Sequence, residues 1–370
     1  MAISVDREDV YPSFQRDFVH NLQTLLRQGE LKSGIWFYEV PQFHLDGPVD
    51  QEQATLIHQK TDAAFVLYGQ VRTREEGETK HYLDLHGLVG HAETTESNKT
   101  RLTGEFTELL PRRLIASSKA SLPAFEITSS ISSVVAKYIA GIAAFVSGMN
   151  GAARALYSDA QSAAVRLSGQ HQAAKKIVER LPLRFGEISL TEASKLHAEW
   201  RVTRDEQLLV QMEVYLDECA EPAQKFPAWK TLKAISMVAA SKGNLSKIEN
   251  LLRGLPKGEP VTEMNYAFLD VARGHLRSAA RHYRNAASAD VGMDVVDEVM
   301  CFLDWYGEFK PDEACKVAFA HGFISYCILK DRGLAKSYFE EFVSLSDGKY
   351  AQEIALVPRW LAELPDVPAP

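Results

Sequence analysis

The sequence predicts an α+β protein in which a small α/β layer domain is followed by an all-α domain. Helix and strand patterns alternate over residues 1–122, whereas helix-period patterns fill nearly all of residues 123–364. A change of hydrophobic period of this kind is typical of a domain boundary. Residues 365–370 are rich in proline, which cannot extend a helix, and we expect them to form a disordered tail.

The first domain is predicted to follow the order α, β, α, β, β, α. In chain order, the predicted elements cover residues 13–29, 34–40, 50–60, 64–72, 81–89 and 102–110. The helices carry apolar residues at helical spacing, and the strands are short runs rich in β-branched and aromatic residues. Asp50 is expected to cap the second helix, with Ala54 and Ile57 facing inward. The polar residues 75–79 are expected to form the loop between the last two strands.

The second domain opens on a predicted short strand over residues 124–128 and is helical beyond it. The apolar run 131–149 is nearly long enough to cross a bilayer. Lys137 lies inside this run, and a lysine at the centre of a membrane span costs roughly 2.5 to 3.5 kcal/mol. We therefore predict a buried amphipathic helix here rather than a membrane span.

Small and aromatic residues recur at fixed offsets in the second domain. The clearest set is Tyr138, Gly141, Gly148, Ala153, Tyr157 and Ala160. A second set at the same offsets is Ala267, Gly274, Ala279, Tyr283 and Ala286. Two weaker sets are Gly243, Ile248 and Leu252, and then Ala335, Phe339 and Phe342 with Lys330 at the turn. Glycine and alanine at these offsets would let two helices of a hairpin touch, and Gly148 would allow the turn between them.

These offsets resemble the tetratricopeptide repeat, over about half of residues 130–345. The family's tryptophan is missing from the pattern, and Pro256 is the one well-placed closing proline. The resemblance implies a helical solenoid with a concave groove that binds other proteins. The groove offsets carry Tyr138, Ile142, Phe145, Met264, Phe268, Val271, Lys233 and Met237. Only Lys233 fits the clamp that chaperone-binding members use for a terminal carboxylate, so that role is disfavoured.

The stretch over residues 61–71 resembles the amino-terminal domain of TolB-type proteins. In that group a helix leads into a strand with the pattern Gly-Ala-Asp-Tyr-Val-Leu-x-Gly-x-Val. Gly69 and Val71 match the pattern, whereas Lys60 and Thr61 depart from the usual Gly-Ala pair. The resemblance implies a bacterial, non-catalytic recognition or sensing module.

Charge and motifs exclude several function classes. The formal net charge of −8 gives no global attraction to nucleic acid or anionic membrane. The sequence has no phosphate-binding loop, dinucleotide fingerprint, zinc helix or serine-hydrolase elbow, and we predict no cofactor. Four cysteines without C-x-x-C pairing and an acidic start without a secretory pattern predict a cytoplasmic protein.

Two polar groupings resemble metal or catalytic sites, and we assign neither. His81, His86 and His91 form a series, but odd spacing along one strand places His81 and His86 on opposite faces. Glu76, Glu78 and Lys80 resemble a nuclease element but fall in the expected hairpin loop. We therefore predict no catalytic residue and no metal site.

The second repeat carries a cluster of arginines. Arg277, Arg281 and Arg284 lie at i, i+4 and i+7, one helical stripe that could pair with carboxylates or phosphates, and we call them the arginine stripe. A solvated helix face is the alternative interpretation. The candidate partner-binding residues are Arg273, Arg277, Arg281, Arg284, Lys233, Tyr138, Ile142, Phe145 and Phe268.

Three hypotheses for function follow, and we favour the first. It is a non-catalytic cytoplasmic adaptor or sensor that binds a protein partner through the helical groove and arginine stripe and regulates a partner effector. The second is a hydrolase or nuclease in the amino-terminal domain, with Asp62, Asp84 and Glu105 as candidate carboxylates. The third is a nucleic-acid-binding regulator that uses the arginine stripe, for which a steep salt dependence of affinity would be diagnostic.

Overall fold

A computed structural model describes residues 2–5, 20, 24, 38–41, 44–45, 47–61, 63, 65–76, 78–89, 114–117, 122–146, 148–239 and 245–363. This part of the chain is mostly helical. The chain divides into two compact units, unit 1 (residues 1–189 and 219–223) and unit 2 (residues 190–218 and 224–370). The predicted boundary at residue 122 therefore falls inside unit 1. Among the residues described, no helix combines the length and apolar character that crossing a bilayer requires.

The strands are β1 (Ala2–Val5), β2 (Phe65–Glu76), β3 (Glu78–Val89) and β4 (Leu114–Ser117). The helices of the first half are α1 (Gln51–Thr61), α2 (Leu122–Val146), α3 (Asn150–Leu167), α4 (Gln172–Thr203), α5 (Glu206–Asp217) and α6 (Glu221–Gln224). Those that follow are α7 (Pro227–Ala239), α8 (Leu245–Leu252), α9 (Pro260–Arg273), α10 (Leu276–Ala287), α11 (Met293–Phe309), α12 (Ala314–Ile324), α13 (Arg332–Leu345), α14 (Ala351–Ile354) and α15 (Val357–Glu363). A 3₁₀ turn (Pro311–Glu313) precedes α12, and a π-helical turn (Ser325–Leu329) continues it.

The sheet of unit 1 has the strand order β1-β2-β3-β4, with β1 parallel to β2 and the other pairs antiparallel. The two central strands were expected, but the loop predicted over residues 75–79 is wrong. The strands continue to Glu76 and Glu78, which pair with each other. Backbone hydrogen bonds hold a ladder without requiring apolar side chains, and this explains why polar sequence extends the strands. Strand β4 was not expected.

Helix α1 confirms the prediction for residues 50–60. Asp50 Oδ1 accepts a hydrogen bond from the Gln53 backbone N–H at 3.0 Å, the geometry of an N-cap. Ala54 is buried and Ile57 packs against the same small core, which includes Val66. The predicted helix 102–110 lies outside the described residues. So do the helix 13–29, apart from residues 20 and 24, which are helical, and the strand 34–40, apart from residues 38–40, which are not in a strand.

The strand predicted over residues 124–128 is wrong, because these residues belong to α2. A helix gains one hydrogen bond per added residue once it is nucleated, so a short segment of strand propensity can continue the helix beside it. The prediction of a buried helix is confirmed over residues 131–146, whereas Gly148 and Met149 are exposed in the turn that follows. Ile131, Val135 and Ile139 are buried, and Lys137 Nζ lies 3.6 Å from Asp159 Oδ2.

Three pairs of consecutive helices form hairpins: α2 with α3, α9 with α10, and α12 with α13. The residue at each turn has a positive φ, which is 77° at Gly148, 77° at Gly274 and 56° at Lys330. The predicted close contact at Gly141 is confirmed, because a Cβ added there would lie 2.5 Å from a ring carbon of Tyr157. Gly322 has the same relation to Phe339 in the α12–α13 hairpin, at 2.7 Å.

The small residues of the predicted repeats lie at helix contacts. Ala153 and Ala279 are fully buried, as are the aromatic side chains of Tyr157 and Tyr283. Of the weaker set near residue 248, Gly243 lies outside the described residues, whereas Ile248 and Leu252 are buried in the core of unit 2.

Candidate functional site

A cavity of about 480 Å³ lies among the helices of unit 2, and we call it the unit 2 groove. Helix α4 contributes Ser194, His197, Ala198 and Arg201 to it, and α11 contributes Val295, Glu298, Val299, Phe302 and Leu303. Helices α7, α8 and α9 supply most of the remaining wall. Within α4 and α11 the lining positions recur every three or four residues, so each of these helices directs one face into the groove.

Most of this wall is apolar. Leu232 and Ile235 on α7 and Met264 and Phe268 on α9 line the groove. The Phe268 ring packs edge-on against Phe302, with ring centroids 5.1 Å apart. Grooves of about this volume, apolar with a few convergent polar groups, are the usual form of ligand-binding sites.

The principal polar cluster of the groove consists of His197, Arg201 and Glu298. His197 Nδ1 lies 3.4 Å from Glu298 Oε1, and Arg201 Nη1 lies 3.7 Å from Glu298 Oε2. The His197 side chain is 5% exposed, compared with 29% for Arg201 and 38% for Glu298. Arg201 stands one turn after His197 on α4, so both side chains lie on the same helix face.

His197 is held in a largely apolar setting. Its ring stacks on Trp200, with centroids 5.5 Å apart. Burial, together with the positive charge of Arg201, lowers the pKa of His197 to about 4. The imidazole is therefore neutral near pH 7. Its Nε2 is buried and has no hydrogen-bond partner within the part of the chain that the structure describes.

The charges of Arg201 and Glu298 largely offset each other. Burial raises the pKa of Glu298, and the neighbouring Arg201 opposes that rise. The Nε–H of Arg201 is buried and, among the described residues, finds no acceptor. Glu259 adds a further carboxylate to the groove lining. The groove thus presents no excess of positive charge to an occupant.

The sequence-predicted groove residues divide between two settings. Phe268 lines the unit 2 groove, as does Met264. Tyr138 and Ile142, in contrast, are buried in the core of unit 1 and offer no surface to a partner. The Tyr138 hydroxyl accepts a hydrogen bond from Arg184 Nε at 3.1 Å. Phe145 is partly buried against the same core.

The arginine stripe lies on α10 with its three side chains exposed. Arg277 Nε is 3.2 Å from Glu353 Oε1, and the Arg284 guanidinium lies 5.3 Å from the centre of the Phe323 ring. Arg281 Nη2 donates a hydrogen bond to Ser278 Oγ at 3.1 Å, so all three arginines already interact within unit 2. An acidic partner would have to compete with the Arg277–Glu353 pair.

The other two basic candidates form ion pairs away from the groove. Arg273 Nη2 lies 2.8 Å from Glu249 Oε2, which holds the pKa of that carboxyl below its usual value. Lys233 Nζ lies 2.6 Å from Asp217 Oδ1. These contacts are sufficient to explain both residues as structural, and neither lines the groove.

Of the three carboxylates considered for a catalytic site in the amino-terminal domain, the structure describes only Asp84. Asp62 and Glu105 lie outside the described residues, and Asp84 Oδ1 is 3.4 Å from His86 Nε2. The His86 ring stacks on Tyr68, with centroids 5.4 Å apart. Within the described ranges, no group of three or more His, Cys, Asp or Glu side chains is placed to hold a metal ion.

The site is interpreted from its residues alone, because comparisons with known proteins found no match. No family model, curated protein or solved structure matches the chain. Sequence reasoning missed His197, Arg201 and Glu298. The available signal was the helical spacing of Ser194, His197 and Arg201 within a segment that lacks the repeat offsets.

Proposed function

We propose that the chain is a non-catalytic adaptor or sensor that binds a segment of a partner protein in the unit 2 groove and regulates that partner. The observation that carries this proposal is the groove itself, an apolar cavity with a buried His197 nitrogen that has no partner in the described structure. In this view the helical hairpins are tetratricopeptide-like, and the TolB-like amino-terminal domain is a second recognition module in a cytoplasmic protein.

The hairpins support the tetratricopeptide-like interpretation. Gly141 against Tyr157 and Gly322 against Phe339 show the same contact between a small residue and an aromatic ring. Turn residues in the left-handed conformation recur at Gly148 and Gly274. Arrays of helical hairpins present long concave surfaces that hold extended or helical partner segments.

Burial in the groove can supply the affinity of such an interaction. Burying one Leu or Phe side chain contributes about 1.5–3 kcal/mol, so three anchors would contribute roughly 5–9 kcal/mol before the costs of ordering. Because association itself costs several kcal/mol, we expect three anchors alone to give only weak binding.

A hydrolytic role for the groove lacks an activated nucleophile. Ser194 lines the groove beside His197, but its hydroxyl donates to the Leu190 backbone carbonyl at 2.9 Å. A serine nucleophile needs a hydrogen bond to its base. Binding therefore accounts for the arrangement better than bond cleavage does.

Filling the groove with a large side chain tests its proposed role in binding. Ala198 is exposed and lines the groove, so Ala198→Trp places a large ring in the cavity without entering the core. Val202 lies on the same helix, is 84% exposed and does not line the groove, so Val202→Trp is the matched control. Partner proteins that are recovered from native extract with the wild type and with Val202→Trp should not be recovered with Ala198→Trp. The purified partner should likewise bind to the wild type and to Val202→Trp but not to Ala198→Trp. Equal recovery by all three proteins would contradict the proposal.

The arginine stripe provides a second contact surface in the proposal. Reversing the charge of Arg277, Arg281 and Arg284 together should weaken recovery of an acidic partner in a salt-dependent manner. Unchanged recovery of the partner with this triple variant would remove the stripe from the interaction. The groove would then carry the binding alone.

A further inference from the structure

Carboxylates outnumber cations in the lining of the unit 2 groove. Among the described residues that form this lining, the ionisable ones are Glu259, Glu298, Arg201 and His197. Burial, together with the positive charge of Arg201, lowers the pKa of His197 to about 4, so this imidazole is neutral near pH 7. Two carboxylates are therefore set against the guanidinium of Arg201, and the described lining carries a net negative charge.

Glu259 is a groove carboxylate that has no cation beside it in the described structure. The residue occupies the N-cap of α9, where its side chain makes no capping hydrogen bond. It is exposed, so an occupant of the groove can reach it. A cation on that occupant could pair with Glu259 without displacing a partner that the structure describes.

Glu298 is only loosely paired with the residues around it. Its Oε1 lies 3.4 Å from His197 Nδ1 and its Oε2 lies 3.7 Å from Arg201 Nη1, and both distances exceed that of a charged hydrogen bond. Burial raises the pKa of Glu298, Arg201 opposes that rise, and the carboxylate of Asp294 adds to it. The Glu298 side chain is 38% exposed and is therefore open to contact with an occupant. A further cation beside it would be favourable.

The remaining wall requires apolar groups next to that cation. Leu232 on α7 and Met264 and Phe268 on α9 belong to this wall. A Lys or Arg side chain suits such a setting, because its methylene stem packs on apolar surface while its charged end stays in contact with water. A carboxylate on the occupant would instead be repelled by Glu259 and Glu298.

We infer that the partner segment bound in the unit 2 groove is apolar and carries a Lys or Arg side chain, whose cation offsets the negative charge of Glu259 and Glu298. This inference rests on the proposed function, and the charge complementarity between groove and occupant is the observation that carries it. The apolar residues of the segment would pack on the wall formed by α7 and α9 and supply most of the affinity. The basic residue would set the specificity.

Matched peptides test the inference on the full chain. Three nine-residue peptides with capped ends and an uncharged fluorophore carry leucines in a glutamine background and differ at one central position, which is Lys, Glu or norleucine. Each is made in three registers shifted by one residue, and affinity is measured by fluorescence anisotropy. In its best register the Lys peptide should bind about threefold more tightly than the norleucine peptide and about tenfold more tightly than the Glu peptide. Both ratios should shrink when NaCl is raised from about 50 to about 500 mM, because salt screens the charges.

Substitutions that keep the side-chain size complete the test. The double variant Glu259→Gln with Glu298→Gln removes both charges and should abolish the preference for Lys. Its affinity for the norleucine peptide should equal that of the wild type, which separates a loss of charge from a loss of fold. Asp297→Asn is the matched control, because Asp297 is an exposed carboxylate next to Glu298 on α11 and does not line the groove. This variant should keep the preference for Lys.

The outcomes separate the inference from the proposed function. Equal binding of the three peptides, blocked by Ala198→Trp, would overturn the basic-residue inference and leave the groove as a docking site. Tighter binding of the Glu peptide, or a preference for Lys that persists in the double variant, would also overturn it. If no peptide binds in any register, or if Ala198→Trp does not block binding, both the inference and the binding role of the groove fail. A dimer of the chain that Ala198→Trp dissociates in sedimentation velocity would assign the groove to a second copy and overturn both.

Discussion

Lowering the pH from 7.5 to 5.0 should destabilise the protein through His197. The reference pKa of an unfolded histidine is about 6.5, whereas burial beside Arg201 lowers the pKa of His197 in the folded state to about 4. Between these two values the unfolded chain binds a proton that the folded chain does not. The stability linked to His197 is therefore fully present above pH 6.5 and is lost progressively as the pH falls toward 4.

The magnitude follows from the two pKa values. At pH 5.0 the expected loss in the free energy of unfolding is about 2 kcal/mol relative to pH 7.5. Glu298 faces His197 Nδ1 at 3.4 Å and moderates the cost of a charged imidazole. His321, also buried and with a lowered pKa, contributes to the pH dependence of the wild type as well. A comparison with a His197 variant isolates the contribution of His197.

Urea unfolding followed by circular dichroism at pH 7.5, 6.5, 5.5 and 5.0 provides the assay. The wild type should lose about 2 kcal/mol more than His197→Gln over this range. The control is His275→Gln, because the His275 side chain is 64% exposed on the surface of unit 2, and it should behave as the wild type does. Identical pH profiles for the wild type and His197→Gln would refute the burial of His197 described here.

Three further predictions concern the hairpins and the arginine stripe. Lys330→Gly should raise the free energy of unfolding by about 0.5–1 kcal/mol in thermal or urea denaturation, because Lys330 adopts a φ of 56° that glycine accepts without strain. Gly141→Ala should lower the free energy of unfolding by about 1–3 kcal/mol through overpacking. The control Gly151→Ala has open space around the new methyl group and should be neutral or stabilising. Equal effects of the two substitutions would contradict the close helix contact at Gly141. Arg277→Ala removes an exposed ion pair and should cost less than about 1 kcal/mol in the same assay, and a larger loss would assign it a structural role.

The turns and contacts of the hairpins could be predicted from sequence because they depend on single residues. A left-handed turn favours glycine, and Gly148 and Gly274 stand where the structure has positive φ. A close approach of two helices requires a missing side chain, and Gly141 supplies it opposite Tyr157. In the α12–α13 hairpin Lys330 replaces the turn glycine, so this hairpin was harder to recognise from the sequence.

The groove could be predicted only in part. The repeat register indicated Met264 and Phe268, which do line it, but it also indicated Tyr138 and Ile142, which are core residues. From Ser133 to Val146 every residue of helix α2 is buried or half-buried, and a helix that is covered on all sides does not line an open groove. A repeat offset identifies a helix face, but the burial of that face depends on neighbouring elements.

The polar cluster could not be found from sequence because it depends on a tertiary contact. His197 and Arg201 lie on α4 and Glu298 lies on α11, and no local pattern links the two helices. The segment around His197 lacks the small residues that marked the other hairpins. Only the packing of unit 2 brings the three side chains together.

Site-specific photo-cross-linking tests the central claim most directly. A benzophenone amino acid is placed at position 198, inside the unit 2 groove, or at position 202, on the exposed surface of the same helix. After irradiation with partner-containing extract, mass spectrometry should locate cross-links from position 198 in one apolar segment of one partner, and none from position 202. Cross-links scattered over many proteins from both positions, or from position 202 alone, would contradict a binding role for the groove.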